Sequence, residues 1–249
     1  MNILGIIPAR FASTRFPGKP LVDISGRSMI LRVYDQALLS EVFRDVIVAT
    51  DDERIYKHVR AAGFKAVMTS TAHRSGTDRC LEALEIQQLQ YGKNYDHVIN
   101  IQGDEPFIHP DQIRKVAVLL SSSDAPLATL AKEITRQEEI FNPSVVKVVF
   151  NKNMEALYFS RSPVPYLRDV DENQWLLKQS HHKHIGIYGY RSETLKMICG
   201  LPEGKLEKQE ALEQLRWIEY GLRIKIDITH LESVAIDTPE DLSKITNTP

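Results

Sequence analysis

The alternation of short apolar runs with helix-period segments constrains the fold of this chain most strongly. An apolar run begins at Ile3 and is bounded by Pro8, and a second run occupies residues 45–50. Between the two runs, residues 29–39 repeat apolar side chains at helical spacing. A strand, a helix and a strand in this order predict a crossover connection, and therefore an α/β fold whose central sheet is mostly parallel.

The same rhythm continues along the chain and then changes. Asp51 or Asp52 can cap the next predicted helix, which Gly63 is placed to end. The further predicted elements are strands over 66–69, 97–101, 126–131, 224–229 and 233–236, helices over 53–62, 111–120 and 206–222, a helix that includes Leu81, Leu84 and Leu89, and an antiparallel hairpin of 145–150 with 156–159. We expect helices on both faces of the sheet, with a smaller, partly antiparallel segment beginning near residue 130.

Composition is that of an ordinary globular protein. With 249 residues, 43% hydrophobic and 26% charged, the chain suits one α/β domain. A net charge of -2 argues against nucleic acid as the main partner. Cys80 and Cys199 lie far apart and neither belongs to a Cys-x-x-Cys pair, which argues against a disulfide framework. Because no apolar run approaches the roughly 20 residues that span a bilayer, we expect a cytoplasmic protein with no membrane partner.

The loop after the first strand carries Arg10, Arg15 and Lys19, with no acidic residue before Asp23. Ligands of an open parallel sheet bind beyond the carboxyl ends of its strands, so this loop predicts a site for a polyanion such as a nucleoside triphosphate. The loop has neither the glycine spacing of a Walker motif nor that of a dinucleotide fingerprint. A basic surface loop with solvated cations is the alternative.

The segment from Ser75 to Arg79 follows the third predicted strand and opens a helix. Gly76 would let the backbone approach a flat ligand, and Arg79, one turn into the helix, would point back at the same crevice. Ser75, Thr77 or Asp78 could instead serve only as helix caps, and both interpretations can hold together.

Asp104 lies directly after the fourth predicted strand, in a turn that Gly103 opens and Pro106 closes. Magnesium is commonly held by one or two carboxylates together with phosphate oxygens and water. Asp104 is therefore the best single candidate for a metal ligand in the crevice of the cationic loop. A carboxylate that only forms the turn is the alternative.

The segment after the hairpin is predicted to be extended and exposed. Pro163 and Pro165 force an extended path, which would expose Arg161. Residues 167–180 are mixed charged and polar with few periodic apolar side chains, and we predict a mobile loop there.

Two pairs of polar residues in the second half have no assignment from pattern alone. His184 and Tyr188 fall on one face of a predicted strand. A zinc site at the neighbouring histidines is a weak alternative, because Lys183 disfavours a dication. Glu213 and Gln214 need not face the core of their predicted helix, and such a pair is usually a solvated face.

Taken together, these motifs resemble the 3-deoxy-manno-octulosonate cytidylyltransferase family, the CMP-Kdo synthetases of lipopolysaccharide assembly. Each motif is weak alone, but they span essentially the whole chain in the family's order. The matching segments are residues 7–10 through 17–21, 49–52, 75–79, 102–106, 158–163, 184–188, 212–216 and 237–241. Residues 167–180 match least, and Phe11 and Ala235 are small departures that touch no charged position.

The resemblance implies a Rossmann-like nucleotidyltransferase fold, usually a homodimer. Such an enzyme joins CTP and 3-deoxy-manno-octulosonate (Kdo), with magnesium, to give CMP-Kdo and pyrophosphate. Within a single domain of residues 1–249, about 1–130 would bind CTP, about 131–230 would bind the sugar acid and form the dimer, and 231–249 would return to the metal site.

The resemblance also implies roles for individual residues. Arg10, Arg15 and Lys19 would hold the triphosphate, Ser75, Gly76, Arg79 and Gln102 would surround the cytidine, Asp104 and Asp237 would bind metal, and Arg161, His184, Tyr188, Glu213 and Gln214 would hold the sugar acid. Catalysis would fall to Arg10, Lys19, Asp104 and Asp237, which position the reactants and neutralise charge while the anomeric hydroxyl of Kdo attacks the α-phosphorus in line.

Two alternatives remain open at this point. A cytidylyltransferase for another sugar acid, such as a sialic acid, would share the CTP half and differ at Arg161, His184 and Glu213. A non-catalytic nucleotide-binding protein could use the same fold, since fold does not fix function. Retention of Asp104 and Asp237 argues against the second alternative.

Overall fold

A nine-stranded mixed sheet forms the centre of the molecule. The structure, a computed structural model, describes residues 1–12, 16–233, 235–236 and 238–246. Its strands are β1 (Ile3–Ala9), β2 (Asp23–Ile24), β3 (Arg27–Ser28), β4 (Asp45–Thr50), β5 (Ala66–Met68), β6 (His97–Asn100), β7 (Leu127–Glu133), β8 (Lys147–Phe150), β9 (Ala156–Ser160), β10 (His182–Arg191) and β11 (Ile224–Ile228). The pair β2 and β3 forms a separate small hairpin.

Helices cover both faces of the sheet. They are α1 (Met29–Leu39), α2 (Glu53–Ala61), α3 (Gly76–Tyr91), α4 (Pro110–Ser122), α5 (Gln137–Phe141), α6 (Trp175–Lys178), α7 (Ser192–Cys199), α8 (Lys205–Glu210), α9 (Gln214–Glu219) and α10 (Pro239–Thr246). Alternate residues of β1 face opposite sides, so Ile3 and Ile7 pack with α1 and α4, whereas Leu4 and Ile6 pack with α3 and α7.

The order of strands places the carboxyl ends of several of them along one edge. β5, β4, β1 and β6 are neighbours and pair in parallel. β10 enters antiparallel between β6 and β7, β11 pairs in parallel with β7, and the hairpin of β8 and β9 lies beside β10. The predicted α/β fold, with a parallel centre and a partly antiparallel segment, is confirmed.

Local sequence signals located several elements to the residue. The observed bounds of α1 and β4 are those predicted from periodicity. Asp52 caps α2, since its carboxylate accepts from the backbone amide of Arg54 at 2.9 Å. Gly63 follows that helix with φ +81°, a left-handed conformation that favours glycine.

The single helix predicted over residues 206–222 is wrong, because the segment forms the two short helices α8 and α9. Ala211 separates them with φ +51°, in the left-handed region. The Arg161 guanidinium donates to the carbonyl of Glu210 at 2.7 Å and to that of Ala211 at 3.3 Å. These carbonyls would otherwise lack partners at the helix end, so a contact distant in sequence stabilises the break.

Residues 167–180 are also not the mobile loop that was predicted. They contain the helix α6 and a preceding turn of 3-10 helix (Glu172–Gln174). Trp175 is 1% exposed and packs with Ile134 and Ile140. Its indole Nε1 donates to the carbonyl of Val170 at 3.0 Å, so one aromatic side chain organises a segment of weak periodicity.

The strand predicted over residues 233–236 is absent from the part of this segment that the structure describes. Ser233, Ala235 and Ile236 belong to no strand, and Ile236 is nevertheless fully buried. Thr238 precedes α10 and caps it, since its hydroxyl accepts from the Asp241 amide at 3.3 Å.

The left-handed Ala211 gives a direct test of the helix break. A residue other than glycine costs about 1–2 kcal/mol in this conformation. Replacement by glycine recovers only part of that cost, because glycine has more conformational freedom in the unfolded chain. We expect Ala211→Gly to raise the free energy of unfolding by about 0.5–1 kcal/mol in urea titrations. Ala62→Gly is the matched control, because Ala62 also ends a helix but has φ -78°. A stabilising Ala62→Gly or a destabilising Ala211→Gly would contradict this account.

Candidate active site

The cationic loop leaves β1 at its carboxyl end and folds back on itself. The backbone amide of Gly18 donates to the carbonyl of Phe11 at 3.0 Å. Gly18 has φ +73°, and a Cβ there would lie 3.1 Å from the Phe11 ring, so the turn favours glycine. Lys19 follows directly and begins a 3-10 turn. Arg10 is exposed at the start of the loop, whereas Arg15 lies outside the described residues.

An ion pair joins this loop to the turn after β6. Lys19 Nζ lies 2.9 Å from Asp104 Oδ2, and the two side chains are 12% and 31% exposed. A Cβ on Gly103 would lie 2.7 Å from the carbonyl oxygen of Pro8, so the turn can approach the end of β1 only with glycine at that position. The predicted phosphate-binding cation and the predicted metal ligand are therefore neighbours.

A polar cavity of about 230 Å³ opens where these two loops meet the first turn of α3. It lies at the carboxyl ends of β1 and β6, as expected for a ligand site of an open α/β sheet. Seven residues predicted to bind nucleotide or metal line it, namely Arg10, Lys19, Ser75, Gly76, Arg79, Gln102 and Asp104. The residues predicted for the sugar acid do not line it.

Ser75 and Arg79 have structural partners within this wall of the cavity. The Ser75 hydroxyl accepts from the Asp78 amide at 3.1 Å, so the helix-cap interpretation is confirmed for Ser75. The Arg79 guanidinium, 4% exposed, donates to Asp51 Oδ2 at 2.8 Å and to Thr69 Oγ1 at 2.5 Å. Arg79 thus ties α3 to the segments that follow β4 and β5, and its charge is already paired.

Arg74 is a cavity residue that the sequence analysis did not assign. It is exposed, lines the cavity beside Ser75, and forms no ion pair with any residue that the structure describes. The sequence signal that could have identified Arg74 is its position as a cation immediately before the predicted ligand-binding segment.

His184 and Tyr188 come together on β10, next to β7. His184 Nε2 lies 3.0 Å from Thr129 Oγ1, and its ring packs edge-on against Phe159 with centroids 5.2 Å apart. The ring centroids of His184 and Tyr188 are 5.1 Å apart. Burial lowers the pKa of His184 to about 3, so the imidazole is neutral at pH 7.

The Tyr188 hydroxyl is buried and has no hydrogen-bond partner among the described residues. Its ring packs edge-on against Trp217, with centroids 5.1 Å apart, and this packing fixes the ring. A buried hydroxyl without a protein partner indicates a place for water or for a polar ligand group.

Glu213 links this second group of residues to the first turn of α3. Its carboxylate accepts from the Thr77 hydroxyl at 2.5 Å, and burial raises its pKa. Gln214 is 6% exposed. The interpretation of Glu213 and Gln214 as a solvated helix face is therefore wrong, because Glu213, directly before α9, bonds to α3 and Gln214, the first residue of α9, is buried.

Arg161 is half-buried and not exposed as predicted. Its guanidinium donates to the carbonyls of Glu210, Pro143 and Ala211 at 2.7, 3.0 and 3.3 Å. The sequence suggested a free cation on an extended segment, whereas the structure uses this side chain to join the end of β9 to the end of α8.

The C-terminal segment returns to the Asp104 turn. The amide of Ile236 donates to the Asp104 carbonyl at 2.9 Å, and the Ser233 hydroxyl donates to the neighbouring Glu105 carboxylate. Burial raises the pKa of Glu105 to about 7, with the hydrogen bond from Ser233 acting in the opposite direction. Asp237, the second predicted metal ligand, lies outside the described residues.

The donor set near Asp104 suits magnesium better than a metal that needs a closed protein cage. No group of three or more His, Cys, Asp or Glu side chains within the described ranges could hold a metal ion. Magnesium requires fewer protein ligands, since substrate phosphates and water complete its shell. Asp104, partly exposed in a cavity lined by cations, fits that chemistry.

No helix in the described part of the chain is both long and apolar enough to cross a membrane.

The parallel strands, the cationic cavity at their carboxyl ends and the glycine-dependent turns together define a nucleotide-binding α/β protein.

Comparisons with known proteins narrow this class. Residues 4–226 match the family model described as cytidylyltransferase. A 3-deoxy-manno-octulosonate cytidylyltransferase of Parabacteroides distasonis is 51% identical over 98% of this chain and 96% of its own. One of Cytophaga hutchinsonii is 50% identical over 100% of this chain and 98% of its own. The chain belongs to the cytidylyltransferase family and is a nucleotidyltransferase, which confirms the resemblance seen in its motifs.

Solved structures agree with this assignment. The structure of a CMP:2-keto-3-deoxy-manno-octonic acid synthetase complexed with CTP matches with a TM-score of 0.89 at 41% identity, covering 99% of this chain and 97% of that chain. A cytidylyltransferase of Leptospira borgpetersenii matches with a TM-score of 0.63 at 15% identity, covering 99% of this chain and 85% of that chain, which supports the fold alone.

The half-buried, neutral His184 predicts that the protein loses stability at acid pH. The folded pKa of about 3 lies below the ordinary value near 6.5, so below pH 6.5 the unfolded chain takes up a proton that the folded protein does not. Stability is thus lost as the pH falls from 6.5 toward 3. In urea titrations, we expect the unfolding free energy of the wild type relative to His184→Gln to fall by about 1.4 kcal/mol per pH unit between pH 6 and 4.

The control for this experiment is His230→Gln, which removes an exposed histidine. We expect its pH dependence to follow that of the wild type. Parallel stability curves for His184→Gln and the wild type would show that His184 is protonated in the folded state.

Proposed function

We propose that this protein transfers CMP from CTP to Kdo, giving CMP-Kdo and pyrophosphate for lipopolysaccharide biosynthesis. The observation that carries the proposal is the cavity in which Lys19 and Asp104 meet at the carboxyl ends of parallel strands, in a chain of the cytidylyltransferase family. The relatives at 51% and 50% identity bear the name of this activity.

The CTP half of the proposed site is the cavity itself. Arg10 and Lys19 would bind the triphosphate, because they are the cations at the end of β1 that face the cavity. Gly76 and Gln102 would surround the cytidine together with Ser75. Arg15 keeps the triphosphate role implied by the family resemblance.

Arg79 contributes to this half mainly by positioning. Its guanidinium is paired with Asp51 and held by Thr69, so it fixes the first turn of α3 against the sheet. Exchange of that pairing for a contact with nucleotide would cost a buried ion pair.

Asp104 and Asp237 would hold magnesium. Support for the shared site comes from Ile236, whose amide binds the Asp104 carbonyl, so the residue before Asp237 lies against the Asp104 turn. Magnesium bound there would neutralise phosphate charge. Asp104 also pairs with Lys19, whose Nζ lies 2.9 Å from Asp104 Oδ2.

The sugar acid would bind to Arg161, His184, Tyr188, Glu213 and Gln214. Support comes from the unpartnered Tyr188 hydroxyl, from the neutral His184 beside it, and from the bond of Glu213 to Thr77 on α3. This bond brings Glu213 against the helix turn whose Gly76 lines the cavity, which suits a reaction between two bound substrates.

In the proposed reaction the anomeric hydroxyl of Kdo attacks the α-phosphorus of CTP in line, and pyrophosphate leaves. The residues of this chain bind and orient the two substrates and stabilise the charge on the phosphates. No protein nucleophile is required, since the hydroxyl attacks directly.

We also propose that the protein is a cytoplasmic homodimer. The segment expected to form the dimer exposes large apolar side chains, with Leu157, Tyr166 and Leu177 exposed by 55%, 73% and 85%. Both cysteines are free thiols, as expected in a reducing compartment. Light scattering on the purified protein would test the dimer, and a monomeric mass would reject it.

The function is tested by pyrophosphate release from CTP and magnesium with a panel of sugar acids. We expect release with Kdo, and none without an acceptor or after chelation of magnesium. Release with a sialic acid but not with Kdo would favour the related cytidylyltransferase. CTP binding without release for any acceptor would favour a non-catalytic nucleotide-binding protein.

The Lys19 contact predicts a loss of activity in Lys19→Met. A charged hydrogen bond to phosphate is worth about 1.5–3 kcal/mol, so we expect kcat/KM for CTP to fall about 10- to 150-fold. Lys57→Met is the control, since Lys57 is 72% exposed and, among the described residues, its one ion-pair partner is Glu53 on the same helix. Wild-type kinetics of Lys19→Met at limiting and saturating CTP would remove Lys19 from the site.

The unpartnered Tyr188 hydroxyl predicts a separation of binding from stability in Tyr188→Phe. We expect the KM for Kdo to rise about 2- to 10-fold, as for one neutral hydrogen bond, with the KM for CTP and the unfolding free energy nearly unchanged. Tyr34→Phe is the opposite control, because the Tyr34 hydroxyl donates to the Val46 carbonyl at 2.6 Å.

Tyr34→Phe should therefore lose about 1 kcal/mol of stability and keep both KM values. If Tyr188→Phe were instead as destabilised as Tyr34→Phe and bound Kdo normally, the hydroxyl would have a structural role only.

A further inference from the structure

A second cavity, of about 270 Å³, lies at the edge of the sheet under α2 and the last turns of α3. Ile47 of β4 and Val67 of β5 form its apolar floor. It shares no lining residue with the nucleotide cavity. Gly76 lines the first cavity and Gln87 the second, and a rise of 11 residue steps along α3 separates them by about 16 Å.

Three cations line this second cavity, namely Arg60, Lys65 and Lys93, and no acidic side chain does so among the described residues. The Arg60 guanidinium has one protein partner here, the Phe64 carbonyl at 3.4 Å. Arg60 and Lys65 are exposed and Lys93 is half-buried. Arg60 forms no ion pair with a described residue, so its positive charge is available to a ligand in the cavity.

The two lysines share a single carboxylate behind the cavity wall. Lys93 Nζ lies 3.0 Å from both oxygens of Asp45, and Lys65 also bonds to this carboxylate. Tyr95 donates its hydroxyl to Asp45 at 2.6 Å. One negative charge thus faces three cations, and Asp45 holds the lysines in place without neutralising the group.

Gln87 supplies an independent sign that the cavity is built for a polar ligand. It is 5% exposed and lines the cavity, yet its side-chain amide makes no hydrogen bond to any described residue. Its amide atoms are not among the fully buried polar atoms that lack a partner, so the amide is accessible from the cavity. A ligand oxygen in the cavity would satisfy it.

Two tyrosine rings, those of Tyr56 and Tyr91, complete the wall. Aromatic faces and an apolar floor suit the carbon skeleton of a ligand, whereas the cations suit a phosphoryl group. The cavity is slightly smaller than the 300–1,000 Å³ typical of drug-sized ligands, which limits the occupant to a small molecule.

We propose that this second cavity binds a small organic phosphate, with its phosphoryl group among Arg60, Lys65 and Lys93 and its carbon skeleton against the tyrosine rings. Gln87 hydrogen-bonds the ligand. The site is separate from the catalytic cavity, and its occupancy does not depend on the reaction proposed above.

The location of the anion is tested with crystals of the protein in saturating CTP, which fills the first cavity. They are soaked in tungstate, a tetrahedral analogue of phosphate. We expect an anomalous peak among the three cations of the second cavity. If tungstate bound elsewhere but left this cavity empty, the proposal would be overturned.

Affinity is tested by calorimetry in saturating CTP with ribose 5-phosphate, inorganic phosphate and ribose. We expect ribose 5-phosphate to bind more tightly than inorganic phosphate, and ribose not to bind. Equal affinities for ribose 5-phosphate and inorganic phosphate would overturn the proposal of an organic ligand and identify free phosphate as the occupant. Absence of binding by either would overturn the site.

Variants distinguish binding in the second cavity from a general effect of the protein's charge on the affinity for an anion. Arg60→Met should weaken ribose 5-phosphate about tenfold or more, and Gln87→Leu, which stays buried, should weaken it less. Lys57→Met is the control, because it removes a cation from the same helix outside the cavity. Neither Arg60 nor Gln87 contacts Asp45, so both variants leave the lysine–carboxylate group intact. Equal affinities for Arg60→Met and Lys57→Met would reject the assignment.

Discussion

The close approach of Gly103 to the end of β1 is the constraint on which the site depends. Any side chain at Gly103 would place its Cβ 2.7 Å from the Pro8 carbonyl oxygen, closer than two such atoms can come. Because the turn lies against β1, Asp104 reaches Lys19, and the Ile236 amide reaches the Asp104 carbonyl. Segments separated by more than two hundred residues are thereby joined around one backbone contact.

The first turn of α3 also connects two parts of the candidate site. Gly76 lies against Pro8, since a Cβ there would be 3.3 Å from the proline ring. The next residue, Thr77, donates to Glu213 of the later segment at 2.5 Å. One helix turn thus contacts the nucleotide cavity on one side and the proposed acceptor residues on the other. A displacement of α3 would move both groups together.

The sequence located elements whose signals are local. Apolar periodicity predicted the bounds of α1 and β4. The position of Asp104 in the cavity was predicted from its place after a strand. The sequence did not reveal the break at Ala211, because Arg161 stabilises that break. Arg161 follows β9 and lies fifty residues away in sequence. The contact of Glu213 with α3 was missed for the same reason, since its partner Thr77 lies 136 residues away in sequence.

The two halves of the candidate site differ in how their polar groups are satisfied. Lys19 and Arg79 in the nucleotide half are paired with Asp104 and Asp51, whereas the Tyr188 hydroxyl in the proposed acceptor half has no partner among the described residues. An unpaired charge costs far more to remove from water than an unpaired hydroxyl. The charges of Lys19 and Arg79 are accordingly paired within the protein, and a triphosphate that bound Lys19 as proposed would compete with Asp104 for it. A neutral hydroxyl carries a smaller penalty, so it can remain open for a substrate group that completes it.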